Sequence, residues 1–113
     1  MGDVKVVFKC WFELDGRYLF GEGLYELLGN IMVYGSLSEA AKVLGMSYRH
    51  AWGMIKGVES ILGKPLLHTH KGGRNGGGAE LTEVGMRLYS KYKQVKELIV
   101  QLSLDDMFND FTL

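Results

Sequence analysis

Between Ser47 and Lys56 the chain reads SYRHAWGMIK, which crowds Tyr48, Arg49, His50, Trp52 and Lys56 into ten residues. A guanidinium offers paired N–H donors that fit a phosphate or the acceptor edge of guanine. Lysine adds a point charge. A second cationic group, Lys71 and Arg74, stands among Gly72, Gly73, Gly76, Gly77 and Gly78. Both groups are suited to a polyanion. The other chemistries fit less well. Of His50, His68 and His70 only the last two share a strand face, Cys10 is far from them in sequence, and zinc needs three or four converging ligands, so no metal is expected. The glycine loop lacks the lysine followed by serine or threonine of a nucleotide-phosphate loop. No nucleophile, base and acid stand together, so neither an enzyme nor a cofactor is expected.

Charge distribution sharpens this reading. The 113 residues carry no formal net charge, which ordinarily argues against a nucleic-acid binder. From Ser36 to Arg74, however, Lys42, Arg49, Lys56, Lys64, Lys71 and Arg74 face only Glu39 and Glu59, a local excess of four positive charges. Acidic residues gather at the ends, in Asp15, Glu22 and Glu26 and in Asp105, Asp106 and Asp110. At 47% hydrophobic and 23% charged the composition is that of a soluble globular domain with a modest core. The single cysteine, Cys10, excludes an intramolecular disulfide. With no charged leader and no apolar run near 18 residues, a cytoplasmic protein without membrane partners is expected.

The elements that must position the two cationic groups follow from spacing. Residues 4–20 predict a β-hairpin turning at Asp15-Gly16, with one aromatic face packed on helices or on another subunit. Leu24, Leu27, Leu28 and Ile31 recur at helical spacing, predicting a core helix closed by Gly35. Ser36 and Glu39 form a capping box for a second helix with Ala40, Ala41 and Leu44 inward, and Gly45 makes the turn. Ser47 caps a third helix whose inward face is Ala51, Ile55, Val58 and Leu62. Gly53 and Gly57 interrupt it at a cost of about 1 kcal/mol each relative to alanine, which suits a face pressed against a partner or another helix better than a solvated one. Gly63 and Pro65 end it. Leu66–His70 and Ala79–Leu81 predict a second hairpin with a mobile cationic tip, the wing. Thr82 opens a long last helix in which Leu88, Tyr92, Val95, Ile99 and Leu102 follow the seam pattern of helix pairing.

The predicted fold is therefore α+β, mainly α: a winged helix-turn-helix over 1–113 with a hairpin (4–20), a three-helix core (23–62), a wing (66–81) and a dimerisation helix (83–102). GSLSEAAKVLGMSYRHAW followed by GKPLLHTHKGGRNGGGAELTEVG resembles the N-terminal DNA-binding domain of the molybdate-responsive regulators, the ModE family, which are themselves related to LysR-type winged helices. The resemblance covers about Leu24 to Tyr92. It implies a homodimer on an inverted-repeat operator of double-stranded DNA, with the helix from Ser47 in the major groove and the wing at the flanking backbone or minor groove. It matches Ser47, Tyr48, Arg49 and His50 to the start of the recognition helix and Lys71, Gly73, Arg74, Gly76 and Gly77 to the wing. Ser36, Trp52 and Lys56 complete the expected DNA-contacting set. The first and last helices would make the dimer, through Leu24, Leu28, Leu88, Tyr92, Val95, Ile99 and Leu102. Regulators of that family continue into oxyanion-binding domains and this sequence ends at Leu113, so a DNA-binding-only member is expected, and its N-terminal hairpin is open to three roles: dimerising the protein, binding a separate effector or sensor protein, or only covering the core. Two other readings compete: a protein-interaction module on a winged helix that has lost DNA affinity, and an oxyanion-responsive regulator.

Overall fold

In the computed structural model, which describes residues 2–70 and 77–112, Asp15 and Gly16 both take left-handed backbone angles, φ 51° and 77°. Such a two-residue loop matches the twist of paired strands. It joins β1 (Trp11–Leu14) to β2 (Arg17–Gly21) in an antiparallel hairpin with a bulge between Phe12 and Glu13. The hairpin is shorter than the 4–20 expected. Trp11 already pairs with Gly21, and the chain turns into a helix at Glu22, so nothing remains for residues 4–10 to pair with. That arm lies instead along the far end of the chain, where the Val6 amide donates to Asp105 Oδ1 at 2.6 Å.

Helix α1 (Glu22–Tyr34) buries Leu24, Leu27, Leu28 and Ile31 and ends at Gly35, whose amide donates to the Ile31 carbonyl. Helix α2 (Leu37–Val43) starts where Ser36 Oγ accepts from the Glu39 amide at 3.0 Å. Helix α3 (Tyr48–Leu62) starts likewise at Ser47 and stops at Gly63. Each serine cap stabilises its helix start by about 1 kcal/mol. The wing pairs β3 (Leu67–His70) with β4 (Gly78–Leu81), and α4 (Glu83–Gln101) follows, capped by Thr82. A short 3-10 helix (Leu104–Phe108) closes the described chain.

The core is one cluster drawn from all these parts. Ala40, Ala41 and Ala51, all essentially buried, let α2 and α3 approach closely. Phe20 and Tyr92 are buried and meet edge to face, with Phe12 and Tyr25 completing an aromatic cluster. The hairpin therefore packs on the helices of its own chain. Tyr92 shares its hydroxyl hydrogen between the Cys10 carbonyl, 2.9 Å, and Glu22 Oε2, 3.0 Å. Burial, with the Glu22 carboxylate beside it, pushes that phenol above its usual range. Lys96 in turn donates to Glu22 Oε1 at 2.6 Å, tying the start of α1 to the second half of α4.

Burial corrects part of the expected dimer surface. Leu24, Leu28 and Tyr92 are inside the protomer, 4%, 0% and 1% exposed, because α1 and the first half of α4 wrap the core rather than face outward. Leu88, Val95 and Ile99 are half-buried and Leu102 is exposed. The radius of gyration is 17.3 Å, against about 13 Å for a compact chain of this length. The end of α4 and the N-terminal arm account for the elongation. Among the described residues no helix is long and apolar enough to cross a membrane.

Candidate nucleic-acid interface

The end of α3 that carries the cationic residues is built by its cap. Ser47 Oγ accepts from the His50 amide at 3.0 Å, which fixes the first turn and leaves Tyr48, Arg49 and His50 exposed on it. Ala51, Ile55 and Val58 hold the opposite face in the core. Gly45, with φ 70°, sets the turn from α2, and the Met46 amide donates back to the Ala41 carbonyl at 3.0 Å. The pair α2–α3 is thus a rigid mount for one helix end.

Along the wing side of α3 runs a stack. Tyr48 lies nearly parallel to Trp52, centroids 6.4 Å apart, and Lys56 Nζ stands 4.5 Å over the Trp52 ring. Lys56 also pairs with Glu59 at 3.1 Å. The same Glu59 carboxylate accepts from the Leu66 amide at 2.7 Å, where the chain enters the wing. Composition gave no sign of that link, because a glutamate one turn beyond a lysine looks like any surface pair. It fixes the wing base relative to α3.

Four further bonds hold the wing and the start of α4. The Ala79 amide donates to the Gly35 carbonyl at 2.8 Å, and the Thr82 amide to that of Leu66 at 2.8 Å. Thr82 Oγ1 donates to the Pro65 carbonyl at 2.8 Å and accepts from the Gly85 amide. Gly85 is required here, since a Cβ would stand 2.6 Å from the Leu66 carbonyl oxygen.

Ser36, Tyr48, Trp52 and Gly77 converge on one groove of about 430 Å³ between the start of α2, α3 and the wing, joined by Ser38, Thr69 and His70. Its walls combine the hydroxyls of Ser36, Ser38 and Thr69 and the rings of Tyr48 and Trp52 with the apolar Leu37 and Ala79; hydroxyl donors of this kind can meet phosphate oxygens. Arg49, His50 and Lys56 are exposed on α3 but are not among its walls. His70 Nε2 lies 3.6 Å from Glu80 Oε1, an ion pair only when the imidazole is protonated. Lys71, Gly73, Arg74 and Gly76 lie outside the described residues. His68 and His70 are both exposed on β3.

The bacterial regulatory helix-turn-helix model of the LysR family matches residues 24–86, from α1 through the wing into α4. The chain belongs to that family. It is one of regulatory proteins, not of enzymes, and the matched region is a ModE-like DNA-binding domain. The molybdenum transport protein ModE of Azotobacter vinelandii is 39% identical over 79 residues, 70% of this chain and 29% of that protein. The DNA-binding transcriptional dual regulator ModE of Escherichia coli K12 is 37% identical over 87 residues, 77% of this chain and 33% of that protein. The transcriptional regulator ModE of Haemophilus influenzae reaches 41% over 66 residues, 58% of this chain and 26% of that protein. This chain therefore spans about a third of the length of these relatives. Among solved structures, ArgP from Mycobacterium tuberculosis superposes with a TM-score of 0.55 at 21% identity, covering 76% of this chain and 30% of that one. That likeness shows the winged-helix fold.

Proposed function

We propose that this chain is a cytoplasmic, sequence-specific reader of double-stranded DNA that regulates transcription as a homodimer. The first turn of α3 enters the major groove, and the wing lies along the adjacent backbone or minor groove. The observation that carries this reading is the exposed first turn of α3, with Tyr48 on the wing-side groove and Arg49 and His50 exposed after it, on a helix whose other face is locked into the core. Arg49 reaches base edges from there, and a bidentate contact to guanine discriminates by about 1–3 kcal/mol. Lys71, Gly73, Arg74 and Gly76 are proposed contacts of the wing tip. The dimer is proposed to form through the outward side of α4, where Leu98 and Leu102 are exposed.

A duplex recovered from a random pool by the protein tests this. Binding should weaken steeply as salt rises, through counterion release. Arg49→Ala should lower affinity on the order of tenfold or more while leaving the melting temperature unchanged. Absence of any duplex binding at low salt, or an Arg49→Ala variant with unaltered affinity and preference, overturns the reading.

A further inference from the structure

Gly53 lies at the middle of the exposed face of α3, four residues after Arg49, three after His50 and three before Lys56. On a helix, residues three and four apart are surface neighbours, so Arg49, His50 and Lys56 border a patch of bare backbone whose other side meets Met54 and Gly57. A Cβ built at Gly53 meets nothing within 4 Å. Gly23, Gly29, Gly78 and Gly85 differ from it: each of them faces another part of the chain at 3.3 Å or less. Gly53 also lacks the left-handed backbone of Gly35, Gly45 and Gly63. Neither a close contact nor a left-handed backbone within the chain calls for glycine at this position; Gly57, one turn on, is alike in this, and both open on a groove of about 280 Å³ shared with Tyr18, Leu19 and Met54, but only Gly53 neighbours Arg49. Glycine is nevertheless the poorest helix former after proline. The advantage that offsets this must come from outside the chain.

Resting on the DNA-reading function proposed above, we propose that Gly53 is a specificity-determining position. The bare backbone lets α3 settle onto the base edges, and a side chain there holds the helix, with Arg49 on the preceding turn, away from its partners. The major groove admits a helix only with little clearance, and Gly53 follows Arg49 by about 5.4 Å along the axis. A methyl group at Gly53 therefore lies between the helix and the groove floor while Arg49 is engaged.

Because glycine is a defect in the free protein and an asset in the complex, the two states respond in opposite directions. Gly53→Ala should raise the melting temperature of the free protein by roughly 4 °C, the effect of a better helix former in a domain of this size. It should weaken binding to the duplex selected by the wild-type protein on the order of tenfold. Gly53→Leu should weaken it further. The dependence of affinity on salt should keep its slope in both variants, because no phosphate contact is removed, and a fresh selection with Gly53→Ala should return an altered base preference. A more stable Gly53→Ala protein that binds like the wild type overturns the proposal and leaves the DNA-reading function standing. A less stable one overturns it by making the glycine a requirement of the fold. Failure of the wild-type protein itself to bind duplex removes the DNA-reading function, and this proposal with it.

Discussion

Lys56 has two partners before any duplex approaches. Its ammonium stands over Trp52 and pairs with Glu59, although the side chain keeps 54% of its surface in solvent. Arg49, in the first turn of the same helix, has no ion pair among the described residues and is exposed at the capped end. The two bases are therefore unequal despite their similar chemistry. Moving Lys56 onto a phosphate means giving up contacts worth a few tenths of a kcal/mol each at an exposed site, so Lys56→Ala should lower duplex affinity less than Arg49→Ala does in the same assay. Equal losses would mean that Lys56 is a full contact and its internal pairing incidental. The cap residues, the inward alanines and the exposed tip of α3 were all legible from side-chain type and spacing. The role of Glu59 was not, because its partner, the Leu66 amide, is a backbone group whose nearness depends on how the chain turns at Gly63 and Pro65.

At the scale of elements, helices were easier to foresee than strands. Each helix carries its own cap and its own apolar period, so α1 to α4 fall within a residue or two of their expected ends. A strand needs a partner. Residues 4–10 have the composition of one and remain unpaired because α1 begins where the partner would have to continue. The same dependence on neighbours decides which apolar residues lie outside. The spacing of Tyr92 fits a seam between subunits, yet the hairpin folds Phe12 and Phe20 over it. Glu22 joins these elements, receiving hydrogen bonds from Lys96 and Tyr92. The Lys96 bond lowers its carboxyl below the usual 4.5, against the opposing pull of burial and with help from Tyr92. A carboxyl lowered on folding contributes stability that is present above its unfolded value and is lost as pH falls through its folded one. The wild-type melting temperature should therefore drop faster than that of Glu22→Gln as pH goes from about 5 to about 3. The difference should be modest, since Glu22 is 47% exposed and solvent screens the pair. Parallel curves would place the junction's strength in the aromatic cluster alone.

The whole molecule measures 59 × 33 × 20 Å, and its exposed apolar side chains are unevenly placed. Leu98, Val100 and Leu102 crowd the last turns of α4 at 54%, 77% and 62% exposure, and Val7 and Phe8 of the arm add to the exposed apolar surface. Concentrated apolar surface of this kind marks an association surface. A double Leu98→Glu, Leu102→Glu variant should sediment as a monomer with its helical content intact, while the wild type sediments as a dimer. A monomeric wild type would remove this surface from the account. The proposed dimer also bears on the sequence read, because a two-fold protein reads two-fold DNA. Selecting bound sequences from a random duplex library tests the central claim most directly. Two inverted half-sites, centred one helical turn or a multiple of it apart, about 10 base pairs per turn, are the predicted result. A pool without enrichment, or a motif lacking inverted symmetry, would contradict it.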